Sequence, residues 1–144
     1  MKLFSNYSEL VHRAIVWVRY LRRIKYFKYG FFAALVLLLV AGLRVATMPL
    51  SVPDVFNVSD KFVHFIVFFG FAFLADVISS REPFWLWKAL PLALYGFGIE
   101  VLQYFSPDRS FSLLDALADF TGILLYWLLK QVVYFLAQRR TRTV

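Results

Sequence analysis

The sequence predicts an all-α membrane protein, a bundle of four transmembrane helices preceded by a basic amphipathic segment. The 144-residue chain is 61% hydrophobic and contains 17 Phe. Its apolar residues fall into four runs of at least about 17 residues, the length that a membrane-spanning helix needs. These runs are apolar all round, whereas a helix of a soluble protein would keep one polar face.

The first segment, residues 1–28, is basic, and its apolar side chains recur at helical spacing with Arg residues among and opposite them. That pattern is typical of a helix lying in the plane of the lipid headgroups, and a disordered basic tail is the alternative. A membrane domain of residues 29–136 follows, and a basic cytoplasmic tail occupies residues 137–144. The predicted spans within the membrane domain are about 29–48, 62–78, 84–105 and 113–136.

Proline and capping residues mark the ends of these spans. Pro49 and Pro53 follow the first span and disfavour its continuation as a helix. Pro83 suits the first turn of the third span, because an N–H at that position has no intrahelical partner. Pro91 lies inside the third span, where it predicts a kink. Ser112 is the predicted cap of the fourth span, in a capping-box-like sequence.

The distribution of basic residues predicts the orientation. On a four-span topology, all but three of the 16 Lys and Arg residues fall on one side of the membrane. The exceptions are Arg44, Lys61 and Arg109. Lys and Arg are concentrated in cytoplasmic loops of membrane proteins, so both termini are predicted to be cytoplasmic.

Composition also narrows the range of functions. The chain has no Cys, which excludes disulfides, thiolate chemistry and Cys-based zinc sites. The net charge of +7 lies mostly beside apolar spans, which favours membrane lipids as partners and disfavours nucleic acid. We find no glycine-rich phosphate loop, serine-nucleophile elbow or zinc motif, so no cofactor and no metal are assigned.

The predicted topology brings polar groups from all four spans to the outer membrane face. Ionisable residues are costly beside lipid and are usually retained for a function. Asp60 and His64 are four residues apart and share a helix face, and Glu100 and Gln103, three apart, do the same. The candidate ligand-binding residues are Arg44, Asp60, Lys61, His64, Glu100, Gln103, Arg109, Asp115 and Asp119.

Three chemistries remain open for this set. Arg44 and Arg109 could hold a phosphate, which guanidinium groups bind bidentately. His64, oriented by Asp60, could act as a general base on a lipid-linked phosphate or ester. Carboxylates could instead hold a divalent cation, which prefers oxygen ligands. The residues for that third option are Asp60, Glu100, Asp115 and Asp119.

The spacing carries no signature that selects one of these chemistries. The catalytic residue is therefore unassigned, with His64, Glu100 and Asp115 as candidates. The same carboxylates could also be helix caps and interhelical ion-pair partners with no ligand. Asp76, near the opposite end of the second span, is expected to pair with Arg81 or to meet water.

Four fragments of the chain resemble one family when they are taken in order. They are DKFVHF at 60–65, YGFGIEVLQYF at 95–105, RSFS at 109–112 and DALADFTG at 115–122. They resemble the VanZ-like family of small bacterial membrane proteins, named for a member linked to glycopeptide (teicoplanin) resistance. The resemblance covers residues 35–130 and implies that this chain keeps the recurring family positions. These positions are Asp60, Lys61, His64, Glu100, Gln103, Arg109, Asp115 and Gly122. The chain departs from the pattern at Asp119, where the family often has Asn.

The leading hypothesis is a protein of the bacterial cytoplasmic (inner) membrane with an outward-facing polar pocket. The pocket would bind or act on a cell-envelope lipid or a lipid-linked cell-wall precursor, and whether a reaction is catalysed stays open. A non-enzymatic structural or accessory membrane protein is the alternative. A transporter or channel subunit is less favoured, because four spans are few and no inverted repeat is visible.

Overall fold

The protein was analysed as a computed structural model. It describes Arg13, Val16, Trp17 and Tyr20 and residues 25–47, 57–79, 81–106 and 110–141. Its helices are α1 (Lys25–Thr47), α2 (Asn57–Ile78), a π-helical turn (Trp85–Ala89) that continues into α3 (Leu90–Tyr104), and α4 (Leu113–Thr141). No strand occurs in these ranges, so the predicted all-α class is confirmed.

Three helical segments are long and apolar enough to cross a membrane: Tyr26–Thr47, Asp60–Ile78 and Leu113–Arg139. The hydrocarbon core of a bilayer is about 30 Å thick and needs about 20 helical residues. The π-helical turn and α3 together provide a fourth helical segment of similar length, with the π geometry at one end. Large apolar side chains such as Leu37, which is 70% exposed, face outward, as expected for a surface covered by lipid.

The helices extend beyond the predicted spans at several ends. α1 begins at Lys25, α2 begins at Asn57 and α4 continues to Thr141. Polar terminal turns carry no hydropathy signal, so apolar run length alone could not find these limits. The predicted amphipathic segment, residues 1–28, lies mostly outside the described residues, although Arg13, Val16, Trp17 and Tyr20 are helical.

The third span departs from a simple kink at Pro91. The N–H of Leu90 bonds to the carbonyl of Trp85, five residues earlier, which is the π-helical pattern. Proline has no N–H and its ring crowds the carbonyl four residues before it, here that of Trp87. The wider π turn therefore lies where Pro91 would otherwise disrupt a regular helix. It also leaves Lys88 buried.

The α2–α4 pair forms the most extensive interface of the bundle. A Cβ atom on Gly122 of α4 would overlap the carbonyl oxygen of Phe65 and lie 2.9 Å from the amide nitrogen of Phe69. Only glycine permits this backbone approach between the two helices. The core beside it is made of Phe68, Phe71, Ala72, Phe84, Ala89, Leu92 and Ile123. α1 packs on α2 and, less extensively, on α3.

We predict that Gly122→Ala destabilises the bundle by about 1–3 kcal/mol, because the added methyl meets backbone atoms that cannot rotate away. Denaturant unfolding of the purified protein in detergent would measure the change. Gly98→Ala is the matched control, since a Cβ there meets nothing within 4 Å. This control should be neutral or gain up to about 1 kcal/mol from helix propensity. Equal losses in both variants would contradict the close approach at Gly122.

Candidate functional site

α1 and α3 end, and α2 and α4 begin, at one end of the bundle, which we call the polar end. It comprises Asp60, Lys61, His64, Glu100, Gln103, Ser112, Asp115 and Asp119. Hydrogen bonds and ion pairs connect these residues across the helices. The structure thus brings together polar residues that are far apart in the sequence.

His64 of α2 is held by Asp119 of α4. The Nδ1 atom of His64 lies 2.8 Å from Oδ1 of Asp119, whose side chain is fully enclosed. Because a carboxylate only accepts, Nδ1 donates this hydrogen bond, and Nε2 is not engaged by Asp119. The sequence hypothesis had Asp60 orient His64, whereas the structure assigns the hydrogen bond to Asp119.

Asp115 lies in the first turn of α4, next to the capping residue Ser112. The hydroxyl of Ser112 accepts a hydrogen bond from the Asp115 amide at 3.3 Å, as the capping prediction requires. Lys61 Nζ of α2 lies 3.3 Å from Asp115 Oδ1. The same oxygen has no hydrogen-bond partner among the described residues. We therefore regard the Lys61 contact as charge attraction without a well-aligned hydrogen bond.

Glu100 and Gln103 extend the polar end onto α3. Glu100 is 0% exposed, and its Oε2 accepts the amide N–H of Ser112 at 2.9 Å. The Nε2 atom of Gln103 donates to the carbonyl of Ala46 at 3.3 Å, which joins α3 to the end of α1. Gln103 thus satisfies one of the carbonyls that a helix C-terminus leaves without an intrahelical partner.

The polar end carries more negative than positive charge. Four carboxylates face Lys61 and His64 in the described part of the chain. Three buried oxygens there lack a hydrogen-bond partner within the described residues: Glu100 Oε1, Asp115 Oδ1 and Asp119 Oδ2. A buried polar group left unpaired costs about 1–3 kcal/mol, and more if it is charged. Groups that cost stability in this way are candidates for a functional role.

A cavity of about 480 Å³ runs from the polar end between α1, α2 and α3. Its polar boundary is formed by Asp60, His64 and Gln103, and the rest of its wall is almost entirely apolar. Along α2 the wall extends from Asp60 to Leu74. We call this cavity the groove, because rim residues such as Val63 and Phe73 are exposed on the membrane-facing side.

The structure describes only one of the two arginines proposed as anion contacts. Arg44 lies in the last turn of α1, is exposed and is not part of the groove wall. Arg109 lies outside the described residues. Phosphate binding by Arg44 and Arg109 therefore stays a prediction.

A second charged cluster, which the sequence did not predict, lies at the opposite end of the bundle. Lys88 Nζ lies 2.5 Å from Asp76 Oδ1 and 3.3 Å from Glu82 Oε1. Lys130 of α4 contacts the same two carboxylates at 2.9 and 3.0 Å. Tyr126 donates to the other Asp76 oxygen at 2.9 Å. The sequence predicted that Asp76 pairs with Arg81 or meets water, whereas its ion-pair partners here are Lys88 and Lys130. The charged residues within apolar spans were the signal that could have predicted this network.

Glu82, in the loop before the π-helical turn, shows how well this second cluster is compensated. Partial burial raises the pKa of its carboxyl, but the hydrogen bond and charge of Lys130 outweigh burial, so its pKa lies below the ordinary value. The two ends of the bundle differ accordingly. Lys88 and Lys130 match the two carboxylates at the Asp76 end, whereas Lys61 and His64 match only some of the four at the polar end.

The fold and the polar end define an integral membrane protein with a charged site at the end of an apolar groove. A model of the VanZ/LLP1 family matches residues 4–134, so the chain belongs to this family, as its sequence fragments predicted. No curated protein and no solved structure matches the chain.

The contrast between the two ends generates a stability prediction. We expect Glu100→Gln combined with Asp115→Asn to keep the protein folded with unchanged or higher stability, since it removes uncompensated buried charge. Asp76→Asn is the matched isosteric control, and it should lose about 3–5 kcal/mol because Lys88 and Lys130 lose their shared buried partner. Thermal unfolding in detergent would compare them. A loss in the double variant as large as in Asp76→Asn would mean that the polar end is structural.

Proposed function

We propose that the protein binds an amphiphilic cell-envelope lipid or lipid-linked precursor. The acyl or prenyl chain would lie in the groove, and the polar group would lie at the polar end. The observation that carries this proposal is the continuity of the two: Asp60, His64 and Gln103 line the same cavity as the apolar wall. A polar site joined to an apolar channel fits a molecule with the same two parts.

The size of the groove supports this class of ligand. Its volume of about 480 Å³ lies in the range of natural small-molecule sites, roughly 300–1,000 Å³. The wall from Asp60 to Leu74 covers about 21 Å of helix, which exceeds the roughly 15 Å half-thickness of the hydrocarbon core. A long hydrocarbon chain can therefore lie along it. The exposed rim allows entry sideways from the membrane.

The unpaired carboxylates separate this proposal from the accessory-protein alternative. A cluster that only held helices together would be expected to satisfy its buried oxygens, as the cluster around Asp76 does. Glu100, Asp115 and Asp119 each keep a buried oxygen without a hydrogen-bond partner among the described residues. A bound ligand would provide the missing partners. His64, with Nδ1 fixed by Asp119, would offer Nε2 to the polar group.

We place the protein in the bacterial cytoplasmic membrane with the polar end facing outward, because Lys and Arg concentrate at the other face. Lipid-linked cell-wall precursors present their headgroups on that outer side. Binding them would connect this chain to the glycopeptide resistance that the family resemblance implies.

The groove can be tested by filling it. Gly70 lines the groove, and a Cβ there meets nothing within 4 Å, so Gly70→Leu should occupy ligand space without disturbing the helices. We expect binding of a polyprenyl phosphate, measured by native mass spectrometry in detergent, to weaken about tenfold or more, which corresponds to about 1.4 kcal/mol. Phosphatidylglycerol as a second probe would distinguish a general phospholipid site from a prenyl site.

Gly98→Leu is the control for this experiment, because Gly98 has equally open surroundings and does not line the groove. Both variants add the same side chain and the same gain in helix propensity. If neither probe binds the wild type, with or without added divalent cations, or if both variants bind equally well, the groove is not the lipid site.

The orientation of the protein in the membrane has a separate test. Because the chain has no Cys, a single introduced Cys is the only thiol that can be labelled. Ser110 is exposed in the α3–α4 loop at the polar end, and Ser79 lies at the opposite end. A membrane-impermeant maleimide should label Ser110→Cys in intact cells and Ser79→Cys only after permeabilisation. The reverse pattern would place the polar end in the cytoplasm and contradict the proposed extracytoplasmic ligand.

A further inference from the structure

Asp60, His64 and Asp115 place three potential metal ligands together at the polar end. One ring nitrogen of His64 and one carboxylate oxygen from each aspartate all lie within 4.8 Å of one another. Asp60 and His64 share a face of α2, and Asp115 reaches them from the first turn of α4. Binding of Zn²⁺ would require side-chain rotations that bring all three to roughly 2.0–2.2 Å from the ion.

His64 is already oriented as a metal ligand is. Metal-binding imidazoles almost always donate their second nitrogen to a carboxylate, a carbonyl or water. Nδ1 of His64 lies 2.8 Å from Asp119 Oδ1, which leaves Nε2 as the nitrogen that can bind a cation. Asp119 would thus be a positioning residue, which fixes the ring and adds negative charge behind it.

The buried carboxylate oxygens are an independent sign that a cation belongs here. The Asp115 side chain is 9% exposed, and its Oδ1 has no hydrogen-bond partner in the described part of the chain. Glu100 is enclosed, keeps Oε1 unpartnered within the same residues, and interacts electrostatically with Asp115, His64 and Asp119. Buried anions need a compensating charge or a metal.

Lys61 supplies only part of that charge. Its ammonium lies 3.3 Å from Asp115 Oδ1, and its side chain is 35% exposed. A lysine ammonium sits on a flexible four-carbon stem, so it can move away when a cation binds. Lys61 is therefore a competitor for the site.

We propose that Asp60, His64 and Asp115 bind a divalent transition-metal cation of the Zn²⁺ or Mn²⁺ type. The imidazole ligand favours Zn²⁺ over Mg²⁺ and Ca²⁺, and the two carboxylate ligands also suit Mn²⁺. Three protein ligands leave a coordination position open, as in zinc sites that bind a further molecule.

The open coordination position also resolves a difficulty with the proposed function. This part of the inference rests on that proposed function. A lipid phosphate would be repelled by the four carboxylates of the polar end. A divalent cation attracts both the carboxylates and the phosphate, so the metal would bridge the protein and an anionic headgroup. The exposed rim of the groove would bring the headgroup to this position from the membrane.

Metal binding can be measured without any lipid ligand. Purified full-length protein, treated with a chelator and dialysed in detergent, would be titrated with Mn²⁺ and followed by the electron paramagnetic resonance of the free ion. We expect one saturable site per chain, displaced by Zn²⁺. Asp115→Asn should lower Mn²⁺ affinity by more than about tenfold, since losing even an outer-sphere partner costs 10–100-fold. Lys61→Met should raise it, because a competing cation is removed.

Glu82→Gln is the matched control: it also neutralises one carboxylate, at the opposite end of the bundle. It should leave Mn²⁺ affinity unchanged. Circular dichroism and gel filtration would confirm that each variant is folded. Absence of saturable binding by the wild type, or equal losses in Asp115→Asn and Glu82→Gln, overturns the metal site.

A second measurement separates this inference from the proposed function. Polyprenyl phosphate binding would be compared with Mn²⁺ and with excess chelator. Binding that requires Mn²⁺ supports the bridge. Binding that is unchanged by the chelator overturns the bridge and leaves the lipid site intact. Saturable Mn²⁺ binding without lipid binding in either condition overturns the proposed function and leaves the metal site intact.

Discussion

The close approach of α2 and α4 at Gly122 is the constraint on which the rest of the structure depends. Because no Cβ separates Gly122 from the backbone of Phe65, the two helices lie near enough for short side chains to bridge them. His64 reaches Asp119 and Lys61 reaches Asp115 only across this interface. A wider spacing would put water or lipid between these groups, and the polar end would become separate helix caps.

The same pair of helices carries two charged clusters of opposite character. At one end, Asp76 accepts hydrogen bonds from Lys88, Lys130 and Tyr126. Two ammonium groups and a hydroxyl thus compensate its buried negative charge. At the polar end, carboxylates exceed cations and keep unpaired oxygens among the described residues. Lipid cannot solvate an ion, so compensation is worth more here than at an aqueous surface. The compensated cluster thus keeps its buried charges paired, whereas the polar end keeps buried carboxylate oxygens that cost stability.

Sequence reasoning reached the fold because membrane spans are defined by hydropathy and length, both of which are local. It also identified the polar residues, since ionisable groups near apolar spans are few. It could not find the partner of His64, because Asp60 and Asp119 are both plausible until the spacing and rotation of α2 and α4 are known. Nor could it predict the π-helical turn, which contains the buried Lys88 that donates to Asp76. Partner choice across helices is a tertiary property that no local pattern records.

Asp119 is one position at which the sequence pattern, the helix packing and the charge of the polar end can be related. The sequence resemblance implies that Asn is frequent at this position, and an amide oxygen could accept the same hydrogen bond from His64. A carboxylate differs from an amide because it can carry a negative charge, and here it is buried with one oxygen lacking a hydrogen-bond partner in the described structure. Its neighbours already include Asp115 and Glu100, so in the absence of a cation this charge would only increase repulsion. The departure from the family pattern therefore adds negative charge at the polar end, which a positive charge would have to compensate. A bound metal or a cationic ligand group would provide that positive charge, and a bare phosphate would not.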